Sequence, residues 1–372
     1  MVVDACGDVD HVILPGSTFV RSGPVGGVQA RKLALRSGRT APDSAFWHRK
    51  GVKGGAMRAL VCSGFGFGEN LTLEVRQAPE PGPGEVRVRV LACGANASDW
   101  EFVTGRPFYA RMSRWASRRH VFGSDVLGVV DKLGEGCTRL RTGERVLADT
   151  FGTFGGFAES CVAKERQFVP VPGGVSDVFA AALPQSGAIA LAGIRGRVAP
   201  GDRVLVNGGG GGSGPLAIQL AAAEGAEVWG VDTGAKADVM REAGAVRVLD
   251  FEREDFTALD DRFDLVLDLF GTRPIRRVRR VLAPGGQYLM VGGWMRAVIA
   301  AALASLWTRF TERRVGLLLV PQGPEALVEL LEMVADGRIT PVVGEVTSLD
   351  CSREALIDMG ARRIGGKLVI VP

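Results

Sequence analysis

Between Val204 and Asp232 the chain reads VLVNGGGGGSGPLAIQLAAAEGAEVWGVD: an apolar triplet, a glycine cluster, a segment with apolar residues at helical spacing, and an apolar run ending in an acid. That order constrains the fold more than any other feature. Val204, Leu205 and Val206 read as a buried strand. Gly209, Gly211 and Gly214 stand at the GxGxxG spacing that opens a helix from about Ser213 to Glu224. The first glycine permits a tight turn, the second lets a pyrophosphate approach bare backbone, and the third lets helix and strand pack closely, with phosphate resting on the unpaired amides of the helix start. A flexible glycine linker is the competing reading. The flanking strand, the periodic helix and the acid at the end of the second strand weigh against it, and predict a dinucleotide site built on Gly209, Gly211, Gly212, Ser213 and Gly214.

The 372 residues suffice for two domains. With 46% hydrophobic and 23% charged residues the composition is that of a soluble globular protein. A formal charge of only +4, with Lys and Arg spread along the chain, argues against nucleic acid as a partner. A dense cluster, Arg276, Arg277, Arg279 and Arg280, reads as the solvated face of a helix whose apolar side carries Ile275, Val278, Val281 and Leu282. The 6 cysteines form no CxxC pair, so reduced thiols and a cytoplasmic location are expected. The segment AVIAAALASLW, Ala297 to Trp307, is strongly apolar but shorter than the roughly 20 residues a membrane span needs. It reads as a buried or interface helix, and Arg309, Arg313 and Arg314 after it leave a membrane-surface role open.

Residues 1–56 are rich in Gly, Arg, Ser and Pro without a sustained apolar period, and read as a disordered leader. Asp4, Asp8 and Asp10 disfavour a signal or transit sequence, and a true start at Met57 is the alternative. Residues 57–184 alternate short strands with Gly and Pro, which predicts a β-rich, partly barrel-like domain. Residues 185–320 alternate strands and helices, which predicts a doubly wound parallel sheet, a Rossmann domain, in an α/β protein. Residues 321–372 leave that rhythm and are expected to return to the first domain, making the nucleotide domain an insertion.

In sequence order, PGPGEVRVRVLACGANASDW, FGSDVLGVVDKLGEGCTRLRTGERV, GGFAES, AALPQSGAIAL, the glycine block from Gly201, DLVLDLFG, LAPGGQYLMVGG, ADGRITPVV and GGKLVIVP resemble the medium-chain dehydrogenase/reductase superfamily. Within it they are similar to the zinc-independent quinone oxidoreductase (zeta-crystallin-like) branch, from Met57 to Pro372. The glycine block departs from that branch's signature at Ala222, where a basic residue or serine is usual. ASDWEFVTGRP and the apolar insert after Gly293 resemble a subgroup labelled NAD(P)-dependent alcohol dehydrogenases. The resemblance implies a GroES-like catalytic domain with the Rossmann sheet inserted, and a homodimer.

Zinc-using members place a cysteine where Asn96 stands and a His-Glu pair where Ser124 and Asp125 follow Gly123. No zinc site is therefore expected, and His120, beside Arg118 and Arg119, reads as a surface residue. Charge developing on a substrate carbonyl must then be met by hydrogen-bond donors. The resemblance sets Asn96 near nicotinamide and substrate, where its amide can donate; capping of the GANASD turn is equally open. Asp99 is expected to order that turn through backbone amides. Glu101 falls where the branch often carries Tyr or Asn and zinc enzymes a proton-relaying His. Buried beside nicotinamide it would serve as general acid; the competing reading is an exposed carboxylate paired with Arg106.

An acid at Asp232 suits the ribose hydroxyls of NAD, and Lys236, where NADPH-using relatives often carry a lysine, suits the 2′-phosphate of NADP. The preference stays unresolved and dual use is expected. Leu269 and Phe270 end one strand and Val291 and Gly292 another, so they should border the cofactor. Lys367 lies near the cofactor in the family pattern, with an ordinary surface lysine as the alternative. Trp100, Tyr109, Phe154 and Trp294 are expected to line a pocket for a flat apolar quinone or carbonyl compound, unless they are simply core. The preferred function is NAD(P)H-dependent reduction of quinones or activated C=C bonds. Alcohol dehydrogenation and a non-catalytic nucleotide-binding role are the alternatives.

Overall fold

The computed structural model describes residues 55–112, 119–321 and 323–372, so the leader expected over residues 1–56 lies outside the described residues except at its end, where Ala56 already begins a strand. In chain order the first part contains β1 (Ala56–Cys62), β2 (Leu71–Gln77), β3 (Glu85–Ala95), α1 (Ala97–Thr104), β4 (Asp125–Leu133), β5 (Arg145–Asp149), β6 (Ser160–Lys164) and β7 (Phe168–Pro170). The helices α2 (Asp177–Ala181) and α3 (Pro184–Ile194) lead into β8 (Arg203–Asn207), α4 (Gly214–Ala223), β9 (Glu227–Asp232), α5 (Ala237–Glu242), β10 (Arg247–Asp250), β11 (Phe263–Asp268), α6 (Ile275–Val278), β12 (Leu282–Met290), α7 (Met295–Thr308) and β13 (Arg314–Leu317). The chain closes with α8 (Glu325–Ala335), β14 (Val343–Ser348), α9 (Ser352–Gly360) and β15 (Lys367–Val371).

Two periodicities explain two sheets. In β3 Val86, Val88 and Val90 are buried while Arg87 and Arg89 are not, the two-residue alternation of a strand with one packed face. Its sheet runs β14-β15-β3-β4-β5-β7, with β6 also pairing β3, and β15 lies antiparallel to β3 with Leu368 opposite Ala95. In β8, by contrast, Val204, Leu205 and Val206 are all fully buried, as a strand covered on both faces requires. Its sheet is parallel in the order β10-β9-β8-β11-β12-β13, the doubly wound arrangement in which strand order reverses beside β8.

One hydrophobic core crosses from sheet to sheet: Leu127, Leu147 and Val369 share it with Val204, Leu216 and Leu267. The helix α8 also packs there, through Leu327, Leu330 and Leu331. The arginine-rich helix is shorter than its pattern suggested. It ends at Val278, a single 3-10 turn follows, and Leu282 already belongs to β12, although Val278, Val281 and Leu282 are buried as expected. The helix α7 buries small residues, Ala297, Ala301 and Ala304, and exposes Ile299, Leu303, Leu306 and Trp307. Among the described residues no helix is long and apolar enough to cross a membrane.

Candidate active site

The strand β8 stops at Asn207, the chain turns at Gly208 with φ +87°, and α4 opens at Gly214 with Pro215 fixing its first turn. A Cβ on Gly214 would strike the carbonyl oxygens of Gly208 and Gly209, and one on Gly209 would lie 2.8 Å from the Met240 sulfur. At Gly211 the nearest atom is the Gly208 oxygen at 3.4 Å, so the backbone there is open. Close packing thus belongs to Gly209, Gly214 and Gly212, where an added Cβ would lie 3.1 Å from Ser186 Oγ, and open space to Gly211, whose own N–H donates to the Gly208 carbonyl at 3.1 Å; Gly212 and Ser213 bring their backbone amides to the helix start. That cradle fits a diphosphate.

Asp232 ends β9 as expected, but its carboxylate already serves the loop. Oδ2 accepts from the Gly210 N–H at 3.1 Å, Oδ1 from the Thr233 N–H at 2.8 Å, and the Lys236 ammonium stands 3.5 Å away. Lys236 is itself buried, lying over Gly210, so the acid and the base expected to compete for the ribose instead face each other. Leu269 donates its N–H to the Asn207 carbonyl, tying the end of β11 to the glycine turn, and Phe270 is stacked under the Arg362 guanidinium at 4.4 Å. Val291 donates to the Asp268 carbonyl, and Gly292 accepts from Gly271 at 2.8 Å, so both border the same ends of parallel strands.

Lys367 is no surface lysine: 2% of it is exposed. Its Nζ donates to Asn96 Oδ1 at 2.5 Å, to Asp125 Oδ2 at 2.8 Å and to Ser186 Oγ at 2.9 Å. The network continues through Ser124. Its Oγ receives Asn96 Nδ2 at 3.4 Å and Gln185 Nε2 at 2.7 Å, and Gln185 Oε1 accepts from Ser98 Oγ at 3.1 Å. Asn96 precedes α1, and Asp99 closes that turn by accepting from the Asn96 N–H at 2.8 Å and the Gly123 N–H at 3.0 Å, the structural task expected of it. Burial pushes the Asp99 carboxyl up to about 7. Asp149, register partner of Asp125 across β4 and β5, is likewise pushed up to about 7, by burial and then by the Asp125 charge.

At the outer end of α1, Glu101 does not pair with Arg106, which stacks on Phe67 instead. Glu101 accepts from the Tyr109 hydroxyl, and burial raises its carboxyl above the ordinary range. Tyr109 is 39% exposed and Trp294 47%, Trp294 lying under Arg296. The other two aromatic expectations need correction. Phe154 is 1% exposed and packs edge-on against Phe102, Phe122 and Phe151, so it is core. Trp100 packs against Gly360 of α9, where a Cβ has no room. His120 is also corrected. It is half-buried against Phe122 and Phe154, and its backbone bridges Cys62, which draws the ring onto the aromatic core.

Sequence reasoning missed Ser124, Gln185, Ser186 and Asp149 as parts of this cluster. Gln185 and Ser186 stand in a block that was singled out, AALPQSGAIAL, and a polar pair inside an apolar helix was the available signal. It also missed Asp268, fully buried at the end of β11, which accepts from Tyr288 Oη at 2.7 Å, Asn207 Nδ2 at 2.7 Å and the Phe270 N–H at 3.2 Å.

Comparison with known proteins agrees with this geometry. Residues 82–173 match the alcohol dehydrogenase GroES-like domain and residues 243–370 the zinc-binding dehydrogenase model. The chain is 28% identical over 337 residues to a chloroplastic quinone-oxidoreductase of Triphysaria versicolor, covering 86% of this chain and 100% of that one. It is 29% identical to a 2-methylene-furan-3-one reductase of Solanum lycopersicum, over 67% of this chain and 63% of that one. The solved quinone oxidoreductase of Coxiella burnetii superimposes with a TM-score of 0.77 at 26% identity, covering 85% of this chain and 99% of that one. The chain therefore belongs to the medium-chain dehydrogenase/reductase superfamily, in its quinone oxidoreductase branch, and is an NAD(P)H-dependent oxidoreductase.

Proposed function

We propose that the chain reduces quinones or the activated C=C bonds of α,β-unsaturated carbonyl compounds, accepting NADH and NADPH, without zinc. The observation that carries this reading is the Lys367 ammonium. Zinc wants Cys, His or carboxylate ligands in tetrahedral array. The positions that resemble a zinc site hold an amide (Asn96), a hydroxyl (Ser124) and one carboxylate (Asp125), and that carboxylate is already closed on an ammonium at 2.8 Å. A divalent cation would meet a fixed positive charge there. The residues do not fit the metal. Without a Lewis acid to acidify an alcohol, hydride addition to a conjugated acceptor is the reaction this pocket suits.

A bound dihydronicotinamide supplies the hydride. Asn96 Nδ2 donates to the acceptor's carbonyl oxygen as negative charge gathers there. Glu101, its carboxyl raised by burial and held by Tyr109, delivers the proton. Gly211, Gly212 and Ser213 hold the diphosphate. The paired Asp232 and Lys236 favour neither cofactor outright, which supports dual use. The relatives named as quinone oxidoreductase and furanone reductase support a flat conjugated substrate. The exposed apolar face of α7 and the open edge at β13 support a homodimer. Cys62, Cys93, Cys137 and Cys161 are free thiols, but Cys351 is disulfide-bonded, which corrects the expectation that the cysteines are all reduced.

The test is oxidation of NADH and of NADPH with 9,10-phenanthrenequinone and with 1-octen-3-one as acceptors, and reduction of NAD+ and NADP+ with primary alcohols as donors, each with and without EDTA. Turnover of the first two, indifferent to EDTA, is expected. Alcohol turnover abolished by EDTA would overturn the reading. Glu101→Gln is expected to cut turnover about tenfold or more while nucleotide affinity holds.

A further inference from the structure

Three elements meet at the Lys367 ammonium: Asn96 at the start of α1, Asp125 at the start of β4 and Ser186 in α3. An ammonium carries three hydrogens. All three are engaged inside the protein, so Lys367 has none to offer a cofactor or substrate. Whatever it contributes passes through the groups it holds.

Asn96 is the one of those groups that the proposed reaction uses. Its side-chain amide has an acceptor end and a donor end of nearly equal shape, and the torsion that exchanges them is broad. Here the exchange is blocked. Turned over, Nδ2 would point its hydrogens at the ammonium, donor against donor, and Oδ1 would lose its 2.5 Å bond. With Oδ1 committed, one Nδ2 hydrogen faces Ser124 Oγ at 3.4 Å and the second is left over. The cation also draws electron density toward Oδ1, which strengthens the amide as a donor. The anchor is tied to the cofactor cradle as well: the Gly366 N–H donates to the Gly210 carbonyl at 2.8 Å, and the Lys367 side chain runs along Gly212.

We propose that Lys367 is a positioning residue for the reduction: its ammonium fixes the Asn96 amide with the donor end toward the substrate oxygen. The proposal rests on the reading of Asn96 as that donor.

The experiment is a double-mutant cycle of Lys367→Met and Asn96→Ala, reading kcat for 1-octen-3-one and, separately, NADPH binding by fluorescence. Asn96→Ala is expected to lower kcat roughly a hundredfold, the usual loss for a missing oxyanion donor. Lys367→Met is expected to lower it about tenfold or more, with NADPH affinity held, and the double variant is expected to match the worse single within about twofold, since one residue acts through the other. Additive losses overturn the proposal and leave Asn96 as donor. A Lys367→Met defect confined to nucleotide binding or to Tm overturns it too. No loss in Asn96→Ala overturns both the donor reading and the proposal. Where Lys367→Met fails to fold because Asp125 is stranded, Lys367→Met with Asp125→Asn removes both charges, and the cycle against Asn96→Ala is run in that background.

Discussion

Asp125 and Asp268 are both fully buried, and each lies at the end of a strand, yet they are answered in opposite ways. Asp125, on the GroES-like sheet, has a cation at 2.8 Å and the Gln185 N–H at 3.3 Å. Asp268, on the Rossmann sheet, takes its hydrogen bonds from neutral donors, Tyr288, Asn207 and the Phe270 amide, with the Arg273 charge acting as a lesser influence. Its carboxyl is pushed up by burial, with those hydrogen bonds pulling the other way. The difference follows from what each must hold. Asp125 secures a charged side chain delivered by β15 from 242 residues away, whereas Asp268 secures Asn207, the last residue of the strand that leads into the glycine turn. One acid is half of an ion pair; the other is the hub of a neutral network.

The comparison breaks most readily at Asp125. Asp125→Ala leaves the Lys367 ammonium buried with two neutral acceptors, and losing one partner of a buried pair costs about 3–5 kcal/mol. A large drop in the urea midpoint of unfolding is expected, with Lys367→Met in the same chain recovering much of it. Failure of that second substitution to recover any stability would show that Asp125 is not there for Lys367. Asp268→Asn is expected to cost less, about 1–3 kcal/mol, because shape is kept and only acceptors facing Asn207 and the Phe270 amide are lost. Its loosened Asn207 should also raise the KM for NADPH. Equal destabilisation by the two substitutions would mean that charge is not what separates the sites.

These two acids also mark where the sequence could be read and where it could not. Period and punctuation carried the Rossmann half: VLV before the glycines and EVWGVD after the helix became β8 and β9, and the helix expected from Ser213 to Glu224 spans Gly214 to Ala223. Residues whose role is set within one turn were also legible, such as Asp99, which caps the helix three residues after Asn96. Partnerships across the fold were not. Nothing near Lys367 in GGKLVIVP announces Asp125 or Ser186, because their meeting depends on β15 lying beside β3. Phe154 shows the converse. Its place among aromatics suggested a pocket wall, but the rings around it leave it no surface.

Asp149 tests the middle of the comparison, with the smallest expected effect. It neighbours Asp125 and feels Lys367, yet has no ammonium of its own, and burial followed by the Asp125 charge raises its carboxyl from the ordinary 3.8 to about 7. Between those values the native protein keeps a proton that the unfolded chain has released, so stability falls as pH rises through that window. Asp99, raised to about 7 chiefly by burial, contributes in the same direction. Asp149→Asn cannot titrate, so the decline in urea midpoint between about pH 4 and pH 7 should become shallower while the share due to Asp99 remains. An unchanged slope would mean that Asp149 is ionised in the native state, with Lys367 balancing it as it does Asp125. The cluster would then be a charged site throughout, closer to an ion pair shared by two carboxylates than to the neutral network around Asp268.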